Sequence, residues 1–221
     1  MNTLTTEPVA SLVARLFADA SCADANLSQQ LRSSSASEDW QDLMHSTTQY
    51  REFYGRMSSF YLAVSPETAR LLYMLARSMR ARSIVEFGTS FGISTLHLAA
   101  ALRDNGGGRL LGSEFESGKV AKARANLQAA GLADLVEIRE GDALQTLARD
   151  LPETIDLVLL DGAKALYPQV LSLLEGRLRS GALVVADNAD YCPEYLTRIR
   201  APDAGYVSVP VGGDVEVSMR C

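Results

Sequence analysis

Between residues 83 and 186 short apolar runs alternate with longer segments whose apolar positions recur every three or four residues. The runs fall at 83–87, 109–113, 135–139, 155–160 and 182–186, which predicts strands; the segments at 91–103, 116–130, 143–150 and 164–177 predict helices. Strict alternation of this kind calls for crossover connections and a parallel sheet covered on both faces. The run Asp156-Leu157-Val158-Leu159-Leu160 is nearly all apolar, as suits a central strand buried on both sides. Beyond residue 200 the period changes to two. Tyr206 to Pro210 and Val215 to Met219 alternate around Gly212-Gly213, the pattern of a terminal antiparallel hairpin. The expected architecture is α/β: a seven-stranded, mostly parallel sheet closed by that hairpin.

The first 80 residues read as helices. Val9, Leu12, Val13, Leu16 and Phe17 mark one amphipathic helix, and Ser33-Ser34-Ser35-Ala36-Ser37 a polar break. Ser37 or Glu38 opens a second helix through Trp40 and Leu43. A third begins at Ser65-Pro66-Glu67, with serine as cap and proline in the first turn. Tyr50, Phe53, Tyr54, Met57, Phe60 and Tyr61 lie at near-helical spacing, a stripe read as core or subunit interface in preference to a substrate wall. The chain therefore divides into a helical region, 1–64, and an α/β domain, 65–221.

The strand–turn–helix over Val85-Glu86-Phe87-Gly88-Thr89-Ser90-Phe91-Gly92 is where an open α/β sheet receives a nucleotide-like ligand. Glycine there lets backbone N–H groups approach a ligand with no Cβ in the way. The second run ends in Glu114, placed as the carboxylate that takes a ribose in such folds. The spacing is Gly-x-x-x-Gly, which weakens a nicotinamide reading.

Composition excludes several classes. The net charge of −6 offers no electrostatic footprint for a nucleic acid. No apolar run reaches the roughly 18 residues of a membrane span, and no secretory signal opens the chain. Cys22, Cys192 and Cys221 are scattered, and His45 and His97 stand far apart, so neither a disulfide framework nor a zinc site is expected. The expected location is cytoplasmic.

The fourth run ends in Asp161-Gly162-Ala163-Lys164 and the fifth in Asp187-Asn188. Neighbouring strands lie about 4.8 Å apart, so these ends can share one ion. Two carboxylates and an amide oxygen form a hard, all-oxygen set suited to Mg²⁺, Mn²⁺ or Ca²⁺. Lys164, one turn beyond Asp161, reaches the same cleft, where a nearby cation disfavours its charged form and makes it a proton acceptor. The bland alternative is that both aspartates merely cap the following helices and that Lys164 faces water. His97 reads as a helix-face residue without chemistry, and Tyr191 as a candidate acceptor contact.

From about Ser65 to Arg220 these motifs, acid-x-Gly, Asp-x-x-Lys and Asp-Asn in that order, resemble the cation-dependent O-methyltransferases, the family of the catechol and caffeoyl-coenzyme A enzymes. The resemblance implies a Rossmann-like methyltransferase fold, S-adenosylmethionine as cofactor, a divalent cation (Mg²⁺ foremost), a small hydroxylated acceptor of catechol or vicinal-diol type, and a homodimer. Residue by residue, it places Glu86, Gly88 and Ser94 at the methionine part of the cofactor and Glu114 on the ribose. It places Gly141-Asp142-Ala143 beside the adenine, makes Asp161, Asp187 and Asn188 the metal ligands, with Asp161 also near the cofactor, and makes Lys164 the base. The chain departs from the family after Asn188: only about 20 residues precede Pro210, and Ala189-Asp190-Tyr191 stands where a tryptophan is common. Two rivals share the sheet: a metal-independent N- or C-methyltransferase, and a non-catalytic protein that binds S-adenosylmethionine.

Overall fold

The computed structural model describes residues 2–33 and 43–221, with the stretch 26–33 described by its backbone only. The expected helix from Ser37 or Glu38 through Trp40 to Leu43 lies outside the described residues except at its end, where residues 43–45 are helical. The sheet runs β3-β2-β1-β4-β5-β7-β6. Its strands are β1 (Ser83–Phe87), β2 (Arg109–Glu114), β3 (Val136–Glu140), β4 (Ile155–Leu160), β5 (Leu178–Ala186), β6 (Tyr206–Val211) and β7 (Val215–Arg220). The first five are parallel, and β7 inserts antiparallel between β5 and β6.

Alternating side chains of each central strand feed two separate cores, which is why these strands read as continuous apolar runs. Ile84, Leu110, Leu157, Leu159 and Val185 join one core, beneath α1 (Val9–Ser33), α3 (Pro66–Ser78), α4 (Ile93–Asp104) and α5 (Ser117–Ala129). Val85, Leu111, Val158, Leu160 and Val184 join the other. That second face is covered by α6 (Ala143–Thr146), α7 (Tyr167–Leu174) and α8 (Pro193–Ile199). Between α1 and α3 the short helix α2 (Tyr50–Arg56) lies against the second core through Tyr50.

The helix signals acted as expected at α3, where the Ser65 hydroxyl accepts the Thr68 N–H at 3.0 Å and Pro66 occupies the first turn. Three outlines differ. The helix expected over 164–177 is α7 flanked by 3-10 turns at Lys164–Leu166 and Glu175–Arg177. The 143–150 helix stops at Thr146, and β5 begins at Leu178, four residues earlier than its apolar run, across a register shift opposite Ile155 and Leu157. The helix α8 was not foreseen; its apolar residues Tyr195 and Ile199 are buried against the second core. The aromatic stripe divides: Phe53, Met57 and Phe60 form a small core of their own, whereas Tyr50 and Tyr54 reach the cleft described next.

Candidate active site

The strand order reverses at β1 and β4: the chain passes outward through β2 and β3, then returns to lay β4 on the other side of β1. Open α/β sheets bind ligands outside the carboxyl ends of strands at such a switch point. A cleft enclosing about 650 Å³, part of it open to solvent, lies there. Gly88 forms its floor at φ +99°, and a Cβ on Gly88 would stand 2.5 Å from the Asp161 carbonyl oxygen. The glycine thus allows the β1 and β4 turns to cross closely, in addition to the ligand approach inferred from sequence.

Glu86 does not line this cleft. It is completely buried, and three hydroxyls donate to its carboxylate: Ser94 at 2.7 Å, Thr95 at 2.5 Å and Thr89 at 3.1 Å. Burial still dominates over these hydrogen bonds and pushes its carboxyl up to about 7. The acid ties the glycine turn to the first turn of α4. Ser94 reaches a smaller cleft of about 230 Å³, which adjoins the first through Gly88 and Ser90 and is walled by Tyr61 stacked on Phe91.

At the far end Glu114 closes β2. Its carboxylate accepts the backbone N–H groups of Ser90 at 2.8 Å, Phe115 at 2.9 Å and Glu116 at 3.0 Å, which fixes it on the cleft wall. Asp142 and Ala143 stand beside it. Asp142 caps α6 through the Leu144 N–H, and it also accepts the Tyr50 hydroxyl at 3.0 Å and an ion pair from Arg51. Helix α2 is thereby strapped across the mouth of the cleft, an arrangement between residues 92 apart that local pattern could not reveal.

The remaining candidates converge at the ends of β4 and β5. Neither aspartate caps a helix: Ala163 and Asn188 hold the cap positions of the turns that follow. Lys164 is buried, not solvated, and its ammonium donates to Asp161 Oδ1 at 2.9 Å and to the Tyr167 hydroxyl at 2.9 Å. That hydroxyl in turn donates to the Asp187 carbonyl oxygen at 2.8 Å. Burial works against the Lys164 charge, but Asp161, Tyr167, Tyr54 and Asp187 outweigh it and hold its pKa well above the ordinary value. As these residues stand, Lys164 is an ammonium ion. The Asp187 carboxylate is pushed up to about 7, first by burial and then by repulsion from Asp161, and among the described residues no donor bonds to it.

Asn188 adopts a left-handed conformation, φ 49°, and turns its amide nitrogen to Asp214 of the β6–β7 turn at 3.3 Å. Among the described residues no three His, Cys, Asp or Glu side chains gather as a metal cluster. The oxygens available to a cation are those of Asp161, Asp187 and the Asn188 amide. Tyr191 is 47% exposed and absent from the cleft wall, and His97 is buried with Nδ1 on the Ile93 carbonyl at 2.8 Å. Sequence reasoning passed over Tyr167 and Lys119, and it read Tyr54 as core or interface where the structure sets it on the cleft wall. Tyr167 lies three residues beyond Lys164, the spacing of neighbours on a helix, so a local signal for it existed.

Residues 85–189 match the family model described as a methyltransferase domain. The chain is 35% identical over 130 residues to a catechol O-methyltransferase of Niastella koreensis, covering 58% of each chain. It is 36% identical over 127 residues to a catechol O-methyltransferase of Mycobacterium tuberculosis, covering 58% of this chain and 57% of that one. The chain thus spans under two thirds of the length of the curated relatives it matches. Among solved structures it superposes on the O-methyltransferase TomG of Streptomyces achromogenes, involved in tomaymycin synthesis and in complex with S-adenosylmethionine. That match has a TM-score of 0.59 at 29% identity, and covers 85% of this chain and 90% of the other.

Proposed function

From a chain that carries a methyltransferase domain over residues 85–189, we propose an S-adenosylmethionine-dependent O-methyltransferase acting on a small hydroxylated molecule, of catechol or vicinal-diol type. The observation that carries the reading is the buried Asp161–Lys164–Tyr167–Asp187 cluster beside a cleft at the β1/β4 switch point. Glu114 and Asp142 furnish the polar end of the cleft. Region 1–64 serves as acceptor cap or dimer contact, with Tyr50, Tyr54 and Leu62 on the cleft wall, ahead of the domain at 65–221.

The residues fit a divalent cation. Among the described residues no donor bonds to the buried Asp187 carboxylate, and Asp161 repels it; a bound cation would relieve that repulsion, as protonation also does. Asp161, Asp187 and Asn188 would hold the ion, and when bound it would acidify an acceptor hydroxyl. Lys164 is the base of this reading. For that role its ammonium would first have to release a proton to water, which the present ion pair with Asp161 opposes; only the neutral Nζ would then accept the acceptor's proton. Holding oxygen, methyl carbon and sulfur near attack geometry supplies most of the acceleration. One observation favours a second reading, transfer without metal: Lys164 already neutralises Asp161 by itself.

The test is a calorimetric titration of chelator-treated protein with S-adenosylhomocysteine, followed by catechol turnover with and without Mg²⁺. One-to-one binding and Mg²⁺-dependent turnover that disappears in Asp187→Ala are expected. Absence of binding removes the cofactor claim; full turnover in chelator removes the metal and leaves the second reading.

A further inference from the structure

Helix α5 opens with a cation where a helix disfavours one. Lys119 stands in its first turn, at the positive end of the helix dipole, yet it is only 5% exposed. Its backbone N–H is satisfied by the Glu116 carboxylate at 2.7 Å. Its Nζ lies 5.5 Å from the centroid of the Phe91 ring, and among the described residues no oxygen comes within hydrogen-bond or ion-pair reach of it. Four carboxylates face it at longer range: Glu114 at the end of β2, Glu116 before α5, Asp24 on α1 and Asp161 at the end of β4. Burial outweighs them and draws its pKa below the ordinary value. A buried ammonium without a partner is costly, and folds retain one where something else completes it.

Lys119 is the one cationic side chain among the described residues that line the larger cleft; the other charged residues there are Glu114, Glu116, Asp142 and Asp161. S-adenosylmethionine carries an ammonium, a sulfonium, a neutral ribose diol and adenine, and one anionic group, the carboxylate of its amino-acid half. The acids answer the first groups and only Lys119 answers the last. Its place agrees: Phe91, beneath the ammonium, belongs to the glycine turn and walls the smaller cleft, so Nζ stands where the two compartments meet. Resting on the cofactor reading above, we propose that Lys119 contacts the cofactor and that its ammonium pairs with the cofactor's amino-acid carboxylate.

The test compares two ligands on wild type, Lys119→Met and Lys119→Gln by calorimetry. S-adenosylhomocysteine has the carboxylate; 5′-methylthioadenosine keeps the nucleoside and thioether and lacks it. Both variants should lose about tenfold to a hundredfold in affinity for the first ligand, the worth of a charge-assisted hydrogen bond. Affinity for the second should stay within about twofold of wild type. The melting temperature of ligand-free Lys119→Met should equal or exceed that of wild type, since an unpaired buried charge has been removed. Equal losses for both ligands would assign Lys119 to the nucleoside and overturn the proposal. No loss for either, or failure of both variants to fold, would make it a structural group. Wild type that binds neither ligand would instead sink the cofactor reading itself.

Discussion

Replacing Glu86 by Gln isolates the cost of the buried acid beneath the glycine turn. The carboxyl ordinarily titrates at 4.5 and is pushed up to about 7 in the folded chain. A folded-state pKa raised above the unfolded value means that the native state holds the proton more tightly. The contribution is therefore fully present below about pH 4.5 and is lost as pH rises through about 7. A difference of about 2.5 units at about 1.36 kcal/mol per unit comes to about 3 kcal/mol. Gln does not titrate. Its carbonyl keeps an acceptor for the Ser94 or Thr95 hydroxyl, and its NH₂ obliges one of the three hydroxyls to turn and accept; that rearrangement shifts stability equally at every pH.

The quantity to follow is the difference in unfolding free energy between Glu86→Gln and wild type, from urea melts between pH 4.5 and 8.5. It should climb by about 3 kcal/mol in favour of Gln and level off above pH 8, whatever its starting value. In thermal melts the same change is about 6–12 °C for a chain of this size. A difference flat across that range would refute the reasoning. It would show that the Thr89, Ser94 and Thr95 hydroxyls, not burial, set the titration of this acid.

Two further substitutions probe the site's scaffold. Gly88→Ala puts a Cβ 2.5 Å from the Asp161 carbonyl oxygen at φ +99°, so stability should fall by about 1–3 kcal/mol and S-adenosylhomocysteine binding should vanish; wild-type melts and titrations would contradict the close crossing of the two turns. Tyr167→Phe removes the hydroxyl between Lys164 and the Asp187 carbonyl, for about 1–3 kcal/mol of stability and a loss of turnover greater than the loss of cofactor affinity. An unchanged melting temperature with unchanged kcat would dismiss that bridge.

What the sequence made legible follows from the range of each interaction. Strands β1, β2 and β4 announced themselves because both faces of each are buried, which favours a mostly apolar run with acids at or near its carboxyl end. The acids Glu114, Asp161 and Asp187 were visible for the same reason, as the first polar positions after such runs. Strand β5 began earlier than its apolar signal because Arg179 and Ser180 extend the strand near its amino end, where they need not join either core. Helix α8 was hidden because its seven residues are too few to show a helical period, although Pro193 is well suited to a first helical turn.

The site's partnerships were harder, since most join distant segments: Tyr50 to Asp142, Tyr61 to Ser90, Asn188 to Asp214. The resemblance placed Glu86 at the cofactor, but the groups that bind its carboxylate are hydroxyls of its own turn and helix. Lys119 belongs to neither group. Its anomaly was local and in plain view: a lysine in the first turn of a helix opposes the dipole, and a helix tolerates that when water solvates the charge or when a ligand needs it. Burial removes the first explanation here. A cleft whose other charged residues are acids leaves the second, so the residue that breaks a helix rule is the one that equips the wall for an anionic group.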